Sequence, residues 1–418
     1  MRFKRIFILA FCLAIALQMR SQYNSDFLNY ERTGRSVSLN ADYEAGSNGM
    51  QNAMINKLIF GGFIDNKMKD DAKNKMRGYN QLGINLNYDV SVFFGRKPKY
   101  SFLIGFKNQE ILNATYTKDF YTLMFYGNKP LLGKTANLAG TNINALRFQE
   151  LKIGIMMHKV DTNAKIGVSI SVVKGEQLFY IKANKNSSLY TNNDGTELIF
   201  QSNFNMAVSD TASKKNPFSF NGIGASADIF FETPYKSKIG SQSVLTVNAN
   251  NIGFIHWSAN SVQYNSDSII RFDGYHINNI LDLKDSTLNK INTDSILREV
   301  TNARKEEFNT NIPTNLLILN KIYFGKKQWA LNTGFRYMFH SNYKPYVFVE
   351  PEYTIKQKLS ISLHIGYGGY TRLNTGLALV YNTKGWFVKL GSNSLQGYIL
   401  PKQTYGQGLY FSLAKKFK

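Results

Sequence analysis

The chain has 418 residues and a formal net charge of +22, and it contains 30 Phe and 25 Tyr but only 3 Trp. Its mean hydropathy of −0.28 excludes a protein built from membrane-spanning helices, but it suits a β-barrel in which every second strand residue faces water. No run of Lys or Arg resembles a nucleic-acid-binding arm, so no nucleic-acid partner is expected.

The N-terminus has the pattern of a secretory signal peptide. Arg2, Lys4 and Arg5 precede an apolar run at residues 6–17, and Ser21 supplies a small residue at the expected cleavage position. The run is shorter than the roughly 20 apolar residues that a membrane-spanning helix needs. Residues 1–21 are therefore predicted to be removed on export. The single cysteine, Cys12, would be lost with them, leaving no thiol for disulfide chemistry.

Residues 22–80 are expected to contribute in part a plug or a loop, with a weak strand at 36–43 and a short helix at 64–76. The clearest strand of the N-terminal half follows at 82–94. Seven apolar residues alternate there with a mostly polar face, a row long enough for a membrane-crossing strand of about 9–11 residues. They are Leu82, Ile84, Leu86, Tyr88, Val90, Val92 and Phe94.

Further alternating segments predict strands along the rest of the chain. They lie at 100–116, 146–158, 166–181, 196–204, 218–231, 243–254, 261–272, 312–324, 328–339, 346–355, 359–367, 375–381, 386–393 and 407–417. The polar stretch 273–311 interrupts them and is predicted to be a long extracellular loop, helical at 294–308. The connections mostly alternate between short and long, as in outer-membrane barrels. The fold class is therefore all-β, a transmembrane antiparallel β-barrel of about 14–16 strands over residues 22–418. One connection, 205–217, is long although its place in the alternation calls for a short turn.

Two glycine-containing motifs resemble nucleotide-binding loops without meeting their requirements. The segment 127–135 has five residues rather than four between its glycines, and 222–227 leads into a predicted strand where a dinucleotide fold needs a helix. The second run is instead expected to let a bulky neighbour or a plug pack against the wall. The five histidines show no metal-ligand spacing. No catalytic, cofactor-binding or metal-binding residues are predicted, and an enzyme with His364 beside a serine is the least favoured hypothesis.

Charged side chains of the C-terminal third are predicted to point into the barrel. A charge facing lipid at midplane would cost about 2–4 kcal/mol, so the inward position is preferred. The candidates are Arg336, Glu350, Glu352, His364 and Lys389. Two interpretations remain open: a ligand or ion path, or a salt-bridged interior that fills and stiffens the barrel.

Trp257, Trp329 and Trp386 each fall at the end of a predicted strand, and all three are predicted to be anchors at the membrane interface. On the last strand, Leu409, Phe411, Leu413 and Phe417 form an apolar face opposite small and polar residues. This face is predicted to meet lipid.

Six short segments are typical of one family: FGGFI at 60–64, FYGNK at 125–129, FETPYK at 231–236, TGFRY at 333–337, GYGGY at 366–370 and LGSN at 390–393. Through them the sequence resembles a family of uncharacterised outer-membrane β-barrels from the Bacteroidota. More distantly, the chain is similar to long-chain fatty-acid transporter barrels and to barrel partners of type IX secretion and gliding machinery. Its last strand, with Phe417 as closing aromatic, is similar to the signal that the barrel-assembly machinery reads.

The leading hypothesis is therefore a cell outer-membrane barrel that acts as a passive channel or hydrophobic-ligand transporter without covalent chemistry. The alternative is a structural or docking barrel for a surface, secretion or gliding complex, bound through the loop at 273–311. Expected partners are outer-membrane lipid and lipopolysaccharide, the barrel-assembly machinery and, for the alternative, a surface or secretion protein. No cofactor is expected.

Overall fold

The computed structural model describes residues 35–97, 99–159, 161–210, 220–240, 242–273, 302–325 and 327–417. The predicted signal peptide and most of the predicted loop at 273–311 lie outside the described residues. Among the described residues, no helix is long and apolar enough to cross a membrane.

Strands dominate the described chain, as the alternation predicts. They are β1 (Arg35–Ser47), β2 (Tyr79–Lys97), β3 (Tyr100–Thr117), β4 (Lys134–Asn137), β5 (Asn142–Lys159), β6 (Ala164–Ala183), β7 (Ser188–Thr191), β8 (Leu198–Val208), β9 (Gly222–Tyr235), β10 (Gln242–Trp257), β11 (Val262–Phe272), β12 (Asn302–Lys305), β13 (Phe308–Asn311), β14 (Asn315–Phe324), β15 (Trp329–Met338), β16 (Lys344–Ile355), β17 (Leu359–Gly369), β18 (Leu373–Asn382), β19 (Trp386–Ser392) and β20 (Gly406–Phe417). The helices are α1 (Asn52–Phe60), α2 (Asn66–Lys75), α3 (Lys118–Tyr126) and the short α4 (Gln396–Ile399), and a 3₁₀ turn covers Lys129–Leu131.

Fourteen of these strands close into one antiparallel barrel. Around the wall the order is β1, β2, β3, β5, β6, β9, β10, β14 to β20, and β20 pairs again with β1. The closing register runs from Arg35 opposite Phe417 to Gly46 opposite Gly406, so the last strand is paired on both sides. The predicted barrel class is confirmed, and the strand number is at the low end of the predicted range.

The two ends of the barrel differ in their connections. Six short turns lie at the end that bears Arg35 and Phe417, which we call the short-turn end; they follow β2, β5, β9, β14, β16 and β18. The opposite end, the loop end, carries the helices and the connections that follow β1, β3, β6, β10 and β19. It also carries two brief loops, after β15 and β17. The alternation that the sequence predicts is therefore present.

The anomalous long connection at 205–217 has a structural explanation. The predicted strands at 196–204 and 261–272 correspond to β8 and β11, which pair with each other along their length rather than crossing in the wall. The short strand β7 pairs with β8 and β4, and β12 pairs with β11. In addition, β8 pairs with Phe179–Ala183 at the loop end of β6. The prediction that these two strands belong to the wall is wrong, because alternation identifies a strand but not its pairing partners or its position along the barrel axis.

The wall separates an apolar outer face from a polar inner face, because successive strand residues point to opposite sides. On β2, Val90, Val92 and Phe94 are exposed on the outside, whereas Asn87 and Asp89 are buried inside. The same division runs around the barrel, and the exposed side chains form a belt. Its members include Leu39, Ile104, Phe106, Leu151, Ile153, Val168, Ile170, Ile229, Val347, Val349, Leu363, Ile365 and Leu379.

Helices α1, α2 and α3 pack against the outside of the wall at the loop end. Asp65 caps α2 by accepting a hydrogen bond from the Met68 amide, and Thr117 caps α3 in the same way. Their apolar side chains, such as Met54 and Tyr121, are buried against outward-facing residues of β1 to β3: Tyr43, Ala45, Leu82, Ile84, Ala114 and Tyr116. The predicted helix at 64–76 is confirmed as α2. Within residues 35–80, the described chain forms a wall strand and this outer layer, so the expected plug is not formed by these residues.

The described part of the loop at 273–311 differs from its prediction. Residues 302–311 contain the short strands β12 and β13, which pair with β11 and β10. The helix predicted at 294–308 is therefore wrong over 302–308, where neighbouring strands satisfy the backbone; its remainder lies outside the described residues.

Candidate functional site in the barrel interior

The first group of interior polar residues lies on strands β3 to β10 and centres on Asp228. Lys152 donates to Asp228 at 2.5 Å, Ser169 donates to it at 3.1 Å, and the Asn251 backbone amide donates at 2.8 Å. The side chain of Asn251 in turn accepts from Lys107 at 2.6 Å. We call these five residues the Asp228 cluster.

A bulge in β10 positions Asn251 for this cluster. The register between β9 and β10 shifts between Ala249 and Ile252, and Asn251 has a φ of +63°. An extra residue of this kind turns its side chain and amide away from the regular ladder. Here it directs both toward Asp228 and Lys107, and the Asn251 carbonyl accepts from Thr314 at 2.9 Å.

Apolar side chains seal the Asp228 cluster above and below. Toward the short-turn end the inner face carries Phe93, Leu103, Met156 and Phe230. Toward the loop end it carries a larger core that contains Ile111, Leu146, Phe148, Val173, Ile255 and Trp257. The buried Lys152–Asp228 ion pair therefore lies between two apolar clusters, and side chains fill this half of the interior as a packed core.

Trp257 belongs to that core, which corrects its predicted role. Its side chain is 0% exposed, and its indole Nε1 donates to Thr310 at 2.8 Å. A Cβ on Gly175 or Gly222 would lie about 3 Å from the ring, so both positions need glycine for the wall to approach it. Gly222 thus lets a bulky side chain pack against the wall, as expected for the small residues at 222–227. The predicted anchor role of Trp257 is wrong, because its ring is buried inside the barrel and does not reach the outer face.

The second group lies on strands β14 to β20 and includes the residues selected from the sequence. Glu352 accepts from Lys321 at 2.8 Å and from Asn332 at 3.3 Å. Glu350 accepts from Ser362 at 3.1 Å. Both carboxylates therefore lie on the inner face of β16.

His364 and Lys389 continue this group on β17 and β19. His364 is buried, and its Nε2 lies 2.5 Å from the Tyr346 hydroxyl. The Lys389 ammonium lies 5.1 Å from the centre of the Tyr410 ring. The structure thus brings Glu350, Glu352, His364 and Lys389 to one side of the interior, and their function stays a prediction.

Arg336 differs from the other candidates because its partner lies across the lumen. Its Nη1 donates to Glu44 at 2.9 Å, and its Nε donates to Asn315 at 2.8 Å. Glu44 is on β1, six strands away from β15 around the wall. We call the Arg336–Glu44 ion pair the brace, because it joins opposite walls of the barrel.

The two brief loops at the loop end fold inward over the brace. Tyr370 donates to Asn113 at 2.9 Å, and the Asn342 amide reaches the backbone carbonyl of Leu82 at 3.2 Å. The Tyr343 ring lies 4.9 Å from the Arg336 guanidinium and packs edge-on against Tyr370. Burial raises the pKa of Tyr343 and of Tyr370, so both hydroxyls are neutral at physiological pH.

Several interior residues were not found from the sequence. Glu44 lies on a weakly alternating strand, and the Asp228 cluster is assembled from five segments that are far apart in the chain. The sequence signal that could have found them is the alternation within each strand: because successive residues point to opposite faces, an outward Val90 means that Asp89 points inward. Parity cannot identify which inward residues meet.

The remaining candidates, which were predicted to face lipid or the membrane interface, lie on the outer face of the barrel. Trp329 and Trp386 are 55% and 44% exposed at the short-turn end, and their anchoring role stays a prediction. Leu409, Phe411 and Leu413 are partly exposed on the outer face of β20, and Phe417 ends the strand. Their role as an assembly signal also stays a prediction. Within the described chain, no group of three or more His, Cys, Asp or Glu side chains has the arrangement of a metal site.

Fold and interior together define a closed 14-strand barrel with an apolar belt and a hydrogen-bonded polar interior. The chain belongs to a family of unknown function, DUF5723, whose model matches residues 32–392. Among curated proteins, no sequence matches this chain.

Several solved structures are similar to this chain over most of its length. A deletion mutant of the monoaromatic hydrocarbon channel TodX is 10% identical, with 96% of each chain covered and a TM-score of 0.46. The Ralstonia pickettii toluene transporter TbuX is 11% identical, with 92% of this chain and 90% of that one covered and a TM-score of 0.41. A Pseudomonas aeruginosa FadL homologue is 10% identical, with 92% and 91% covered and a TM-score of 0.40. Scores and identities this low do not define a shared ligand.

Proposed function

We propose that this protein is an integral outer-membrane β-barrel that serves as a passive channel or transporter without covalent chemistry. The observation that carries the proposal is the closed wall with its exposed apolar belt around a polar interior. An exposed belt of this extent would be unfavourable in water, whereas a bilayer stabilises it at about 25 cal/mol for each Å² removed from water. A closed barrel also leaves no unpaired strand edge in lipid.

The polar interior favours small polar solutes over a hydrophobic ligand. Along the inner face of β2 alone, Asn85, Asn87, Asp89 and Ser91 are buried, and Asn87 and Asn85 both donate to Asp42 at 3.0 Å. An apolar ligand on this route would have to separate such groups from their partners, at a cost of about 1–3 kcal/mol for each group. A hydrophobic-ligand transporter therefore remains the less favoured form of the proposal.

We propose that the brace and the inward loops hold the lumen closed in the resting state of the barrel. Arg336–Glu44, Tyr370–Asn113 and Asn342–Leu82 all join the β15–β18 side of the wall to β1–β3. A solute that passes at this level must separate them. We therefore propose that conduction needs an opening step in which these contacts break while the Asp228 cluster stays intact.

Reconstitution into lipid vesicles tests this function. Insertion would be recognised by a heat-dependent shift in gel mobility, and function by ion conductance across planar bilayers and by solute-driven swelling of the vesicles. The proposal expects low conductance from the wild type, with brief openings. Barrels that insert fully but pass no ion, small solute or lipophilic ligand, even when Glu44 is replaced by Gln, would overturn transport and favour a docking barrel.

A further inference from the structure

A ring of lysines surrounds the short-turn end. Each of its six turns, or the residue beside it, contributes an exposed lysine: Lys99, Lys159, Lys236, Lys327, Lys356 and Lys384, which we call the turn lysines. Since consecutive turns join neighbouring strands around a closed wall, the turn lysines are spread over the whole perimeter. The positive charge is therefore a ring and not a patch on one side.

Carboxylates do not neutralise this ring. Among the described residues of the six turns, Asp161 is the one acidic side chain, and none of the turn lysines forms an ion pair within the described chain. Helix α2 at the loop end shows the contrasting pattern, because Asp70 and Asp71 lie among its lysines. The turn lysines thus lack the acidic neighbours that accompany the lysines of α2.

Aromatic rings place the turn lysines beside the apolar belt. The Lys99 ammonium lies 5.4 Å from the centre of the outward Tyr100 ring, and the ammonium of Lys415, at the same end of the barrel, lies 4.2 Å from that of Trp386. Trp329 and Trp386 are exposed at the same height. Lysines next to interfacial aromatic residues keep their stems on apolar surface and their ammonium groups at the depth of lipid headgroups.

We propose that the turn lysines bind anionic phospholipid headgroups of the leaflet around the short-turn end. Lipid surrounds a barrel on every side, which matches a continuous ring. A free phosphate ion would need several donors converging on one point, whereas these lysines lie on separate turns. Binding of an acidic soluble protein would not explain why ammonium groups lie beside outward-facing aromatic rings. The inference rests on the proposed membrane location, and the test separates the two.

Quenching of tryptophan fluorescence by brominated lipids measures the preference directly. The full chain is reconstituted in vesicles that mix brominated phosphatidylcholine with rising fractions of unbrominated phosphatidylglycerol, and then in vesicles with the bromine on the other lipid. Trp329 and Trp386 report on the short-turn end whichever way the barrel inserts, and the buried Trp257 contributes a constant background. We expect phosphatidylglycerol to compete about fivefold better than phosphatidylcholine at these tryptophans, since the roughly 1 kcal/mol that one surface lysine contributes to attraction by an anionic membrane corresponds to that ratio.

Two variants with equal loss of charge complete the test. Replacing the turn lysines Lys327, Lys356 and Lys384, together with the exposed Lys358 in the same turn as Lys356, by Gln is expected to bring the preference close to one. Replacing the loop-end residues Lys67, Lys75, Lys129 and Lys134 by Gln, all exposed, is expected to leave it unchanged. Equal quenching by both lipids in the wild type, or equal effects of the two variants, would overturn the headgroup proposal alone. No quenching by either lipid would overturn the membrane location as well. Binding of a polyglutamate peptide without any lipid preference would support an acidic protein partner instead.

Discussion

The two halves of the interior use buried charge in different ways. In the half formed by β3 to β10, Lys152 and Asp228 are on strands that only β6 separates, and apolar layers close the cluster on both sides. In the other half, Arg336 and Glu44 belong to opposite walls and hold the inward loops in place. The first arrangement joins nearby strands of one wall, and we propose that the second closes the lumen. Buried charge alone thus does not mark a functional residue; which walls it joins is more informative.

The largest effect is expected from removing the carboxylate at the centre of the Asp228 cluster. Asp228→Ala would remove the buried carboxylate to which the Lys152 ammonium, the Ser169 hydroxyl and the Asn251 amide all donate. We expect a loss of about 3–5 kcal/mol in the free energy of unfolding, measured by urea titration in lipid vesicles.

The matched control is Glu232→Gln, which removes the partner of Lys165 at the partly exposed short-turn end of the same strands. Its expected cost is about 1 kcal/mol or less. Equal losses in the two variants would contradict the view that the Asp228 cluster is a sealed core.

A smaller effect is expected where Tyr370 meets the wall. A Cβ on Gly83 would lie 2.0 Å from the Tyr370 ring, whereas one on Gly105, on the neighbouring strand, would lie 3.4 Å from Ser91. Gly83→Ala must therefore displace the loop, at about 1–3 kcal/mol. It should also raise conductance, because Tyr370 would leave Asn113. Gly105→Ala should keep the wild-type conductance; an increase in both variants would indicate general loosening of the wall.

Two of the three tryptophans test the difference between the packed core and the outer surface. Trp257→Phe should cost about 1–3 kcal/mol, because it loses buried ring area and leaves the Thr310 hydroxyl without its donor. Trp329→Phe should cost less than about 0.5 kcal/mol, since the side chain is half exposed. Unfolding titrations of both variants measure the difference, and a larger loss at Trp329 would contradict the burial of Trp257.

The smallest effect is expected from alkaline pH at the inward loops. Because burial raises the pKa of Tyr370, its neutral form stabilises the closed state below the ordinary tyrosine pKa of about 10, and this contribution falls as pH rises above it. Conductance should therefore rise above about pH 10, and the rise should be smaller in Tyr370→Phe. The same increase in that variant would assign the effect to other groups.

The fold could be predicted from the sequence to a greater extent than the site. Alternation such as that from Leu82 to Phe94 follows from the geometry of a strand with one apolar and one polar face, and it predicted the barrel class and most wall strands. The same alternation in β8 and β11 was assigned to the wall, because pairing partners are not visible in one strand. Arg336 could be assigned to the interior by the cost of a charge in lipid. Its contact with Glu44 depends on the closure of the whole barrel, and no local pattern encodes it.

Charge reversal of the brace, followed by single-channel recording in planar bilayers, tests the central claim that this is a channel closed by contacts across its lumen. Arg336→Glu should raise the open probability about tenfold, since roughly 1.4 kcal/mol of closed-state stability is a factor of ten in the equilibrium. Adding Glu44→Arg should restore the closed state by rebuilding the pair in the opposite sense, whereas reversing the Lys165–Glu232 pair should leave gating unchanged. An inserted barrel whose conductance is the same in the wild type, the single variant and the double variant would contradict the account.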